Sequence, residues 1–271
     1  MRIPSLFSMD RDVLQMKIAS WNVNSIGVRL QHLLDWLSEN PVDAICLQEI
    51  KCIDEKFPAE ALLEAGYNSV IYGQKSYNGV AILSKTEASD VVRGFAGDLE
   101  SEHRRFIAAT VNGVRILNTY FPNGQALDSD KFVFKMHWMK ELRNYFDQSC
   151  DSVKNVVLCG DYNITIDDRD VYDPVGWKDK IHCSPQEREA LQQITNWGLV
   201  DTFRIHEQGD GFYSWWDYRD SGWRKNQGLR IDFIMATKPL AEKCAAAWID
   251  KIPRTWDRPS DHAPVVAEFS L

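Results

Sequence analysis

The chain is 271 residues long, 44% hydrophobic and 26% charged, an ordinary globular balance that excludes the disordered and fibrous classes. Its net charge of −8 is the wrong sign for a nucleic-acid binder held by overall charge; a carboxylate-lined metal site is itself acidic, however, and a bound cation reverses the local field. No stretch is long and apolar enough to span a membrane, no Gly/Ser or Pro-rich linker divides the chain, and the six cysteines form no C-x-x-C pair, so they are expected to be buried, reduced thiols of a cytoplasmic protein.

Residues 1–15 (MRIPSLFSMDRDVLQ) have neither a continuous apolar core nor a small-residue cleavage site, so they do not form a secretory signal. They are expected to be a flexible extension ahead of a single domain over 16–271. Residues 17–23 (KIASWNV) alternate as a strand does. Leu30, Leu33, Leu34 and Leu37 then recur at helical spacing, predicting an amphipathic helix over 28–39. A short apolar strand, 43–48 (DAICLQ), runs into Glu49. Pro58 suits the first turn of a helix ended by Gly66. Strands are expected at 69–72, 80–83, 106–111 and 114–120, with spacings short enough for antiparallel neighbours. A helix over 129–146 places Phe132, Met136, Met139 and Phe146 on one face.

The second half repeats the theme. A strand over 155–159 ends in Gly160-Asp161. Ser184-Pro185-Gln186-Glu187 is a capping box with proline at the first helical position, and its helix should stop at Gly198. Strands follow at 212–216, 230–236, 244–249 and 264–269. Strands that pack one face on helices in both halves predict an α/β protein: a four-layer sandwich of two facing mixed β-sheets flanked by helices. A weak echo between GVAILSK (79–85) and IDFIMATK (231–238) suggests a duplication.

The informative feature is where polar residues sit. Asn22 and Asn24 follow the first strand, Glu49 ends the second, Asp161 and Asn163 follow a strand of the second half, Asp232 sits in the apolar run RIDFIM, and Asp261-His262 precede the last strand. A polar group at such a place needs a partner or a metal. Taken singly, each has a plain alternative: a Gly-Asp turn, a solvated strand end, a satisfied core histidine. Together, in this order, they are far more specific.

WNVNS (21–25), LQE (47–49), YFPNG (120–124), GDYN (160–163), GLRID (228–232) and SDHAP (260–264) resemble the ordered motifs of the exonuclease III family, within the endonuclease/exonuclease/phosphatase superfamily. GLVDTFR (198–204) and SWWDYR (214–219) point more narrowly to its DNA-repair branch. The resemblance runs from about Lys17 to the end of the chain. It implies a DNA-repair phosphodiesterase that cuts the backbone 5′ to abasic sites of double-stranded DNA, leaving a 3′-hydroxyl and a 5′-deoxyribose phosphate, with 3′→5′ exonuclease and 3′-phosphatase activity at 3′ ends. It also implies a monomer acting in the cytoplasm of a bacterium, at the nucleoid.

Hydrolysis of a phosphodiester needs a base for the attacking water, a cation at the developing charge, and donors to the phosphoryl oxygens. Glu49 is the candidate ligand for Mg2+, which Mn2+ could replace, because carboxylate oxygens suit a hard cation that keeps several waters. The resemblance adds Asn22 and Asp261 to that shell, with Asp161 and Asn163 around a second ion in two-metal variants; the number of ions stays open. It makes Asp161 the base and Asn163 its partner at the water or a phosphoryl oxygen. Asp232 is expected to pair with His262, which would present a proton to the phosphoryl group. Tyr120 is placed near the same phosphate and Asn123 on a DNA phosphate.

Basic residues cluster despite the net charge. Arg104 and Arg105 follow His103, Lys131 and Lys135 share a helix face, and Arg219, Arg224, Lys225 and Arg230 surround Trp215, Trp216, Tyr218 and Trp223, a mixture suited to tracking a backbone and stacking on bases. The resemblance makes Trp215, Leu229 and Ile231 the walls of a pocket for a flipped abasic sugar. Two rivals remain: another phosphodiesterase of the superfamily, with an RNA, lipid or inositol phosphate substrate, and a catalytically silent binding module, which the presence of Glu49, Asp161, Asn163, Asp232 and His262 disfavours. Asn24 stands where some relatives carry Asp.

Overall fold

The computed structural model describes residues 14–95 and 103–271. In chain order it forms β1 (Gln15–Asn22), α1 (Ile26–Glu39), β2 (Ala44–Gln48), α2 (Ala59–Glu64), β3 (Asn68–Tyr72), β4 (Val80–Ser84), β5 (Ser89–Arg93), β6 (Phe106–Val111), β7 (Val114–Tyr120) and α3 (Asp130–Ser149). There follow β8 (Val156–Asp161), α4 (Pro174–Trp177), α5 (Pro185–Thr195), β9 (Leu199–Asp201), α6 (Thr202–His206), β10 (Asp232–Thr237), α7 (Lys238–Ala241), β11 (Cys244–Ile249) and β12 (Val265–Ser270).

The strands make two six-stranded sheets, ordered β11-β12-β1-β2-β4-β3 and β5-β6-β7-β8-β10-β9. Alternation along each strand divides the apolar side chains between two layers. Ile18, Cys46, Ile82, Ile116, Cys159, Ile234 and Phe269 meet between the sheets. The opposite faces of the first sheet, Trp21, Ile45 and Leu83, lie on Leu33 and Trp36 of α1 and Leu62 of α2. Those of the second, Leu117, Leu158 and Phe233, lie on Trp138 and Leu142 of α3 and Ile194 of α5. The expected four-layer sandwich is therefore the observed one.

Each sheet repeats one pairing scheme. β1 runs parallel to β2 and antiparallel to β12, while β2 and β3 flank β4 antiparallel. β7 runs parallel to β8 and antiparallel to β6, while β8 and β9 flank β10 antiparallel. GVAILSK and IDFIMATK thus fall on β4 and β10, which hold equivalent places. β1 and β2 run parallel, as do β7 and β8, and the hydrogen bond from Asn22 at the end of β1 to Asp161 at the end of β8 sets the C-terminal ends of both pairs at one edge of the sandwich.

The structure departs from the sequence reading in several places. The segment 212–216 is not a strand, because the Ser214 and Trp215 N–H groups both bond to the Leu229 carbonyl and leave only isolated bridges. The strand expected to end in Gly160-Asp161 does so as β8, which excludes the turn alternative: Gly160 has φ +144°, and a Cβ there would lie 1.8 Å from the Thr119 carbonyl of β7, so only glycine lets the strands approach. β5, β9 and α6 were not expected; β5 is a mostly exposed, irregular edge without apolar alternation. Of the extension at 1–15, residues 1–13 lie outside the described residues, and Gln15 already belongs to β1. Among the described residues no helix is long and apolar enough to cross a membrane. All six cysteines are free.

Candidate active site

The edge where the parallel strands end collects the polar residues. Tyr120 and Asp161 are register partners on β7 and β8, and Asp161 pairs in turn with Asp232 on β10. From the facing sheet come Asn22, the last residue of β1, and Glu49, one residue beyond β2. The loop before β12 brings Asp261 and His262. Three of the residues here, Asn24, Glu49 and Asn163, have left-handed backbones with φ of 44°, 51° and 51°. For non-glycine residues this costs about 1 kcal/mol each and marks places where the surroundings dictate the backbone. At Glu49 the hydrogen bond from Ser25 N–H to its carbonyl, at 2.7 Å, helps to hold that turn.

Carboxylate and amide oxygens define the centre. Asn22 Nδ2 donates to Glu49 Oε1 and to Asp161 Oδ2, each at 2.9 Å, and so ties the two sheets together. Asp161 Oδ1 accepts from the Asn163 N–H at 2.9 Å, and Oδ2 also accepts from Asn163 Nδ2 at 3.2 Å. Asn123 Nδ2 donates to Asn163 Oδ1 at 3.1 Å. On the other side His262 Nε2 lies 3.7 Å from Asp161 Oδ2, while its Nδ1 lies 2.9 Å from Asp232 Oδ2. Asp232 is held in turn by the Ser214 hydroxyl, which donates to Oδ2 at 2.7 Å and accepts from the Asp232 N–H.

The electrostatics follow from this crowding. Burial above all pushes Asp161 well above the usual carboxylate range; Asp232 and Glu49 add to the rise, and the His262 ring and Asn22 amide oppose it. Burial works against a charged His262, but the carboxylates of Asp232, Asp161 and Asp261 outweigh it and push the ring well above the usual imidazole range. Asp261 goes the other way: despite burial, His262, Asn24 and the Trp215 indole hold it below its ordinary value. Burial, reinforced by the hydrogen-bonded Glu49 carboxylate, raises the Tyr120 phenol well above its usual range.

One oxygen each of Glu49 and Asp161 and one nitrogen of His262 lie within 4.8 Å of one another, a group able to hold a metal ion. Two carboxylates fit a hard divalent cation that keeps several waters and takes substrate phosphate as a further ligand. The other expected metal ligands, like Glu49 and Asp161, have hydrogen-bond partners in the site. Asn22 offers its N–H rather than its oxygen to the carboxylates, its Oδ1 accepting from Asn24 N–H. Asp261 uses one oxygen on Asn24 Nδ2 and the other on the Trp215 indole. Asn163 directs its oxygen to Asn123. Lys51, which sequence reasoning missed, lies 2.9 Å from Glu49 Oε2; its only signal was a charge two residues beyond LQE.

The expected substrate-facing residues divide. Asn123 is exposed beside Asn163. Arg104 is half-buried, donates to the Gly73 carbonyl and lies 5.1 Å over the Tyr72 ring, so part of it serves the β3–β4 loop. Trp215 is half-buried, with ring centres 6.5 Å from His262 and 6.3 Å from His182. Leu229 and Ile231 are only 0% and 2% exposed, packed with Val171 and Cys183 under Trp177 and Trp215. Of the three pocket walls, only Trp215 therefore presents appreciable surface.

Two parts of the basic and aromatic cluster are internal. Lys135 is fully buried against Glu187 rather than sharing a surface with the exposed Lys131, because it faces the site from behind. Arg230 is buried on Asp170 and Asp201, and the fully enclosed Trp216 packs edge-on to Trp223 with the Arg254 guanidinium 5.7 Å from its ring. Tyr218, Arg219, Arg224 and Lys225 remain exposed.

Residues 19–262 match the profile of the Endonuclease/Exonuclease/phosphatase family. The chain is 36% identical over 268 residues to exodeoxyribonuclease III of Haemophilus influenzae, covering 94% of this chain and all of that protein. Among solved structures, the 3′ phosphatase NExo from Neisseria, bound to a product DNA hairpin, superposes with a TM-score of 0.91 at 44% identity. An AP endonuclease from Archaeoglobus fulgidus superposes with a TM-score of 0.90 at 38% identity. Each alignment covers 94% of this chain and 100% of the solved one.

Proposed function

Because the chain belongs to the endonuclease/exonuclease/phosphatase family, in its exonuclease III branch, we propose that it is a magnesium-dependent DNA-repair phosphoesterase acting in the cytoplasm on 3′ ends and 5′ to abasic sites. The observation that carries this reading is the convergence of Glu49, Asp161 and His262, with Asp232 behind the imidazole. Removing a 3′-phosphate, trimming a 3′ nucleotide and incising 5′ to an abasic sugar all break a bond from phosphorus to a 3′ oxygen. One site therefore serves all three.

Each residue's part follows from its contacts. Asp161 takes the proton of the attacking water while Asn163 fixes both of its oxygens. His262, held charged by Asp232, presents its Nε2 proton to a phosphoryl oxygen. Glu49 and Asp161 would hold the magnesium ion, with Mn2+ as a substitute, and the ion when bound neutralises charge on the phosphate. Tyr120 and Asn123 border the same space from the β7 side.

A specific observation ranks the substrates. A pocket for a flipped sugar must offer apolar surface, and Leu229 and Ile231 offer almost none. Opening it would forfeit the packing of Val171, Cys183 and Trp177. Terminal 3′ groups are therefore favoured over internal abasic sites, in keeping with the 3′-phosphatase activity named for the Neisseria relative. A gel assay compares a 3′-phosphate duplex, a recessed 3′-hydroxyl duplex and a duplex with one internal abasic site, each with magnesium and with chelator. Faster processing of the terminal substrates is expected. Faster abasic incision would reverse the ranking, and no magnesium-dependent cleavage of any of the three would sink the proposal.

A further inference from the structure

Behind the site lies a charged pair that the proposed reaction does not use. Lys135, on α3, and Glu187, on α5, have side chains that are 0% exposed, with Nζ 2.5 Å from Oε1. The lysine has two other acceptors: the main-chain carbonyl of Asn163 at 2.8 Å and that of Asn123 at 3.2 Å. Three acceptors call for three N–H bonds, which only the ammonium form supplies. The Asn163 carbonyl also receives His182 Nδ1 at 2.6 Å, which sets that ring as the Nδ1–H tautomer and leaves Nε2 facing Asn123 Nδ2 at 3.5 Å. Glu187 closes the ring of contacts by accepting from the His182 N–H and from the Ser184 N–H and hydroxyl.

We propose that Lys135, paired with Glu187, is a positioning residue that clamps the backbones of Asn123 and Asn163 and, through Asn163, aims the Asp161 carboxylate. Burying an ion pair is seldom a route to stability, since apolar groups of similar volume often do as well or better. What this pair supplies is direction. Asn163 has a left-handed backbone, with φ of 51°, and both its N–H and its side-chain amide hold Asp161. A carbonyl pinned by two donors keeps that peptide from relaxing, and a base displaced by a fraction of an ångström loses much of its efficiency.

This inference rests on the assignment of Asp161 and Asn163 to the reaction, and its test separates the two. Lys135→Met/Glu187→Gln removes the charge pair while roughly preserving volume. Steady-state cleavage of a 3′-phosphate duplex is measured for that variant, for Asn163→Ala, and for all three substitutions together, with melting curves alongside. The expected result is a folded K135M/E187Q protein whose kcat falls by about ten-fold or more with KM within about two-fold. Asn163→Ala keeps the clamped main-chain carbonyl and the N–H on Asp161 but loses the amide, so in that background the same change should cost less than in the wild type. A wild-type kcat, or a loss that multiplies fully with that of Asn163→Ala, overturns the clamp. A near-normal rate for Asn163→Ala would overturn the site assignment instead. If K135M/E187Q does not fold, Lys135→Arg takes its place under the same criteria, keeping the charge opposite Glu187 but not the three converging N–H bonds.

Discussion

Asp161 Oδ2 lies 3.7 Å from His262 Nε2, so the carboxylate that would accept a proton and the imidazole that would offer one face each other across a gap bordered by Glu49. Asp161 closes β8 and His262 sits in the loop before β12, more than a hundred residues on in sequence. Their opposition makes the two roles separable by mutation.

Asp161→Asn and His262→Ala are each expected to lower single-turnover cleavage by about 10²–10⁴-fold while leaving a cooperative melt. Asp232→Asn should lose less than His262→Ala, since the Ser214 hydroxyl and an amide oxygen can still orient the ring. Cleavage rates and melting temperatures measured together check all three. A near-normal rate in either of the first two removes that residue from its role.

Glu49 accepts from Asn22 and faces Lys51. Glu49→Gln keeps the shape but halves the carboxylate set, and the half-saturating magnesium concentration should rise by about ten-fold or more. An unchanged titration would show that the cation is held elsewhere.

Trp215 is the one expected pocket wall with appreciable surface, and its indole also anchors Asp261 at 3.0 Å. Trp215→Ala is expected to change the ratio of 3′-phosphate removal to abasic incision, and Trp215→Phe, which keeps a ring but not the N–H, to change it less. Equal ratios in wild type and both variants would reduce Trp215 to packing.

His182 is buried, and burial first, then the nearby Lys135 charge, lowers its pKa from an ordinary 6.5 to about 4. The folded protein therefore binds fewer protons here than the unfolded chain between those values. Its contribution to stability is complete above about pH 6.5 and is lost as pH falls toward about 4, amounting to about 3 kcal/mol. Denaturant melts of wild type and His182→Gln across that range should show the wild type losing more on acidification. Parallel curves would mean that His182 does not titrate in this way.

Much of the fold was legible because its signals are local. Alternation gave β1, a short apolar run gave β2, and the Ser184–Glu187 capping box marked the start of α5. β5 and β9 were not legible: one is an exposed edge without alternation, the other three residues long. Lys135 read as a surface cation because a helix repeat places a side chain on a face but does not say what covers that face. Only the packing of α5 against α3 makes it internal.

What the sequence by itself determined is the order of polar residues at strand ends and the chemistry they can perform, since residue type and strand register are properties of short segments. The tertiary structure alone decided which groups meet. The facing of two sheets sets Glu49 against Asp161, turns the oxygens of Asn22, Asp261 and Asn163 toward other partners, and encloses Leu229 and Ile231. These outcomes depend on contacts between segments far apart in the chain, where close packing and the pairing of every buried polar group leave one arrangement.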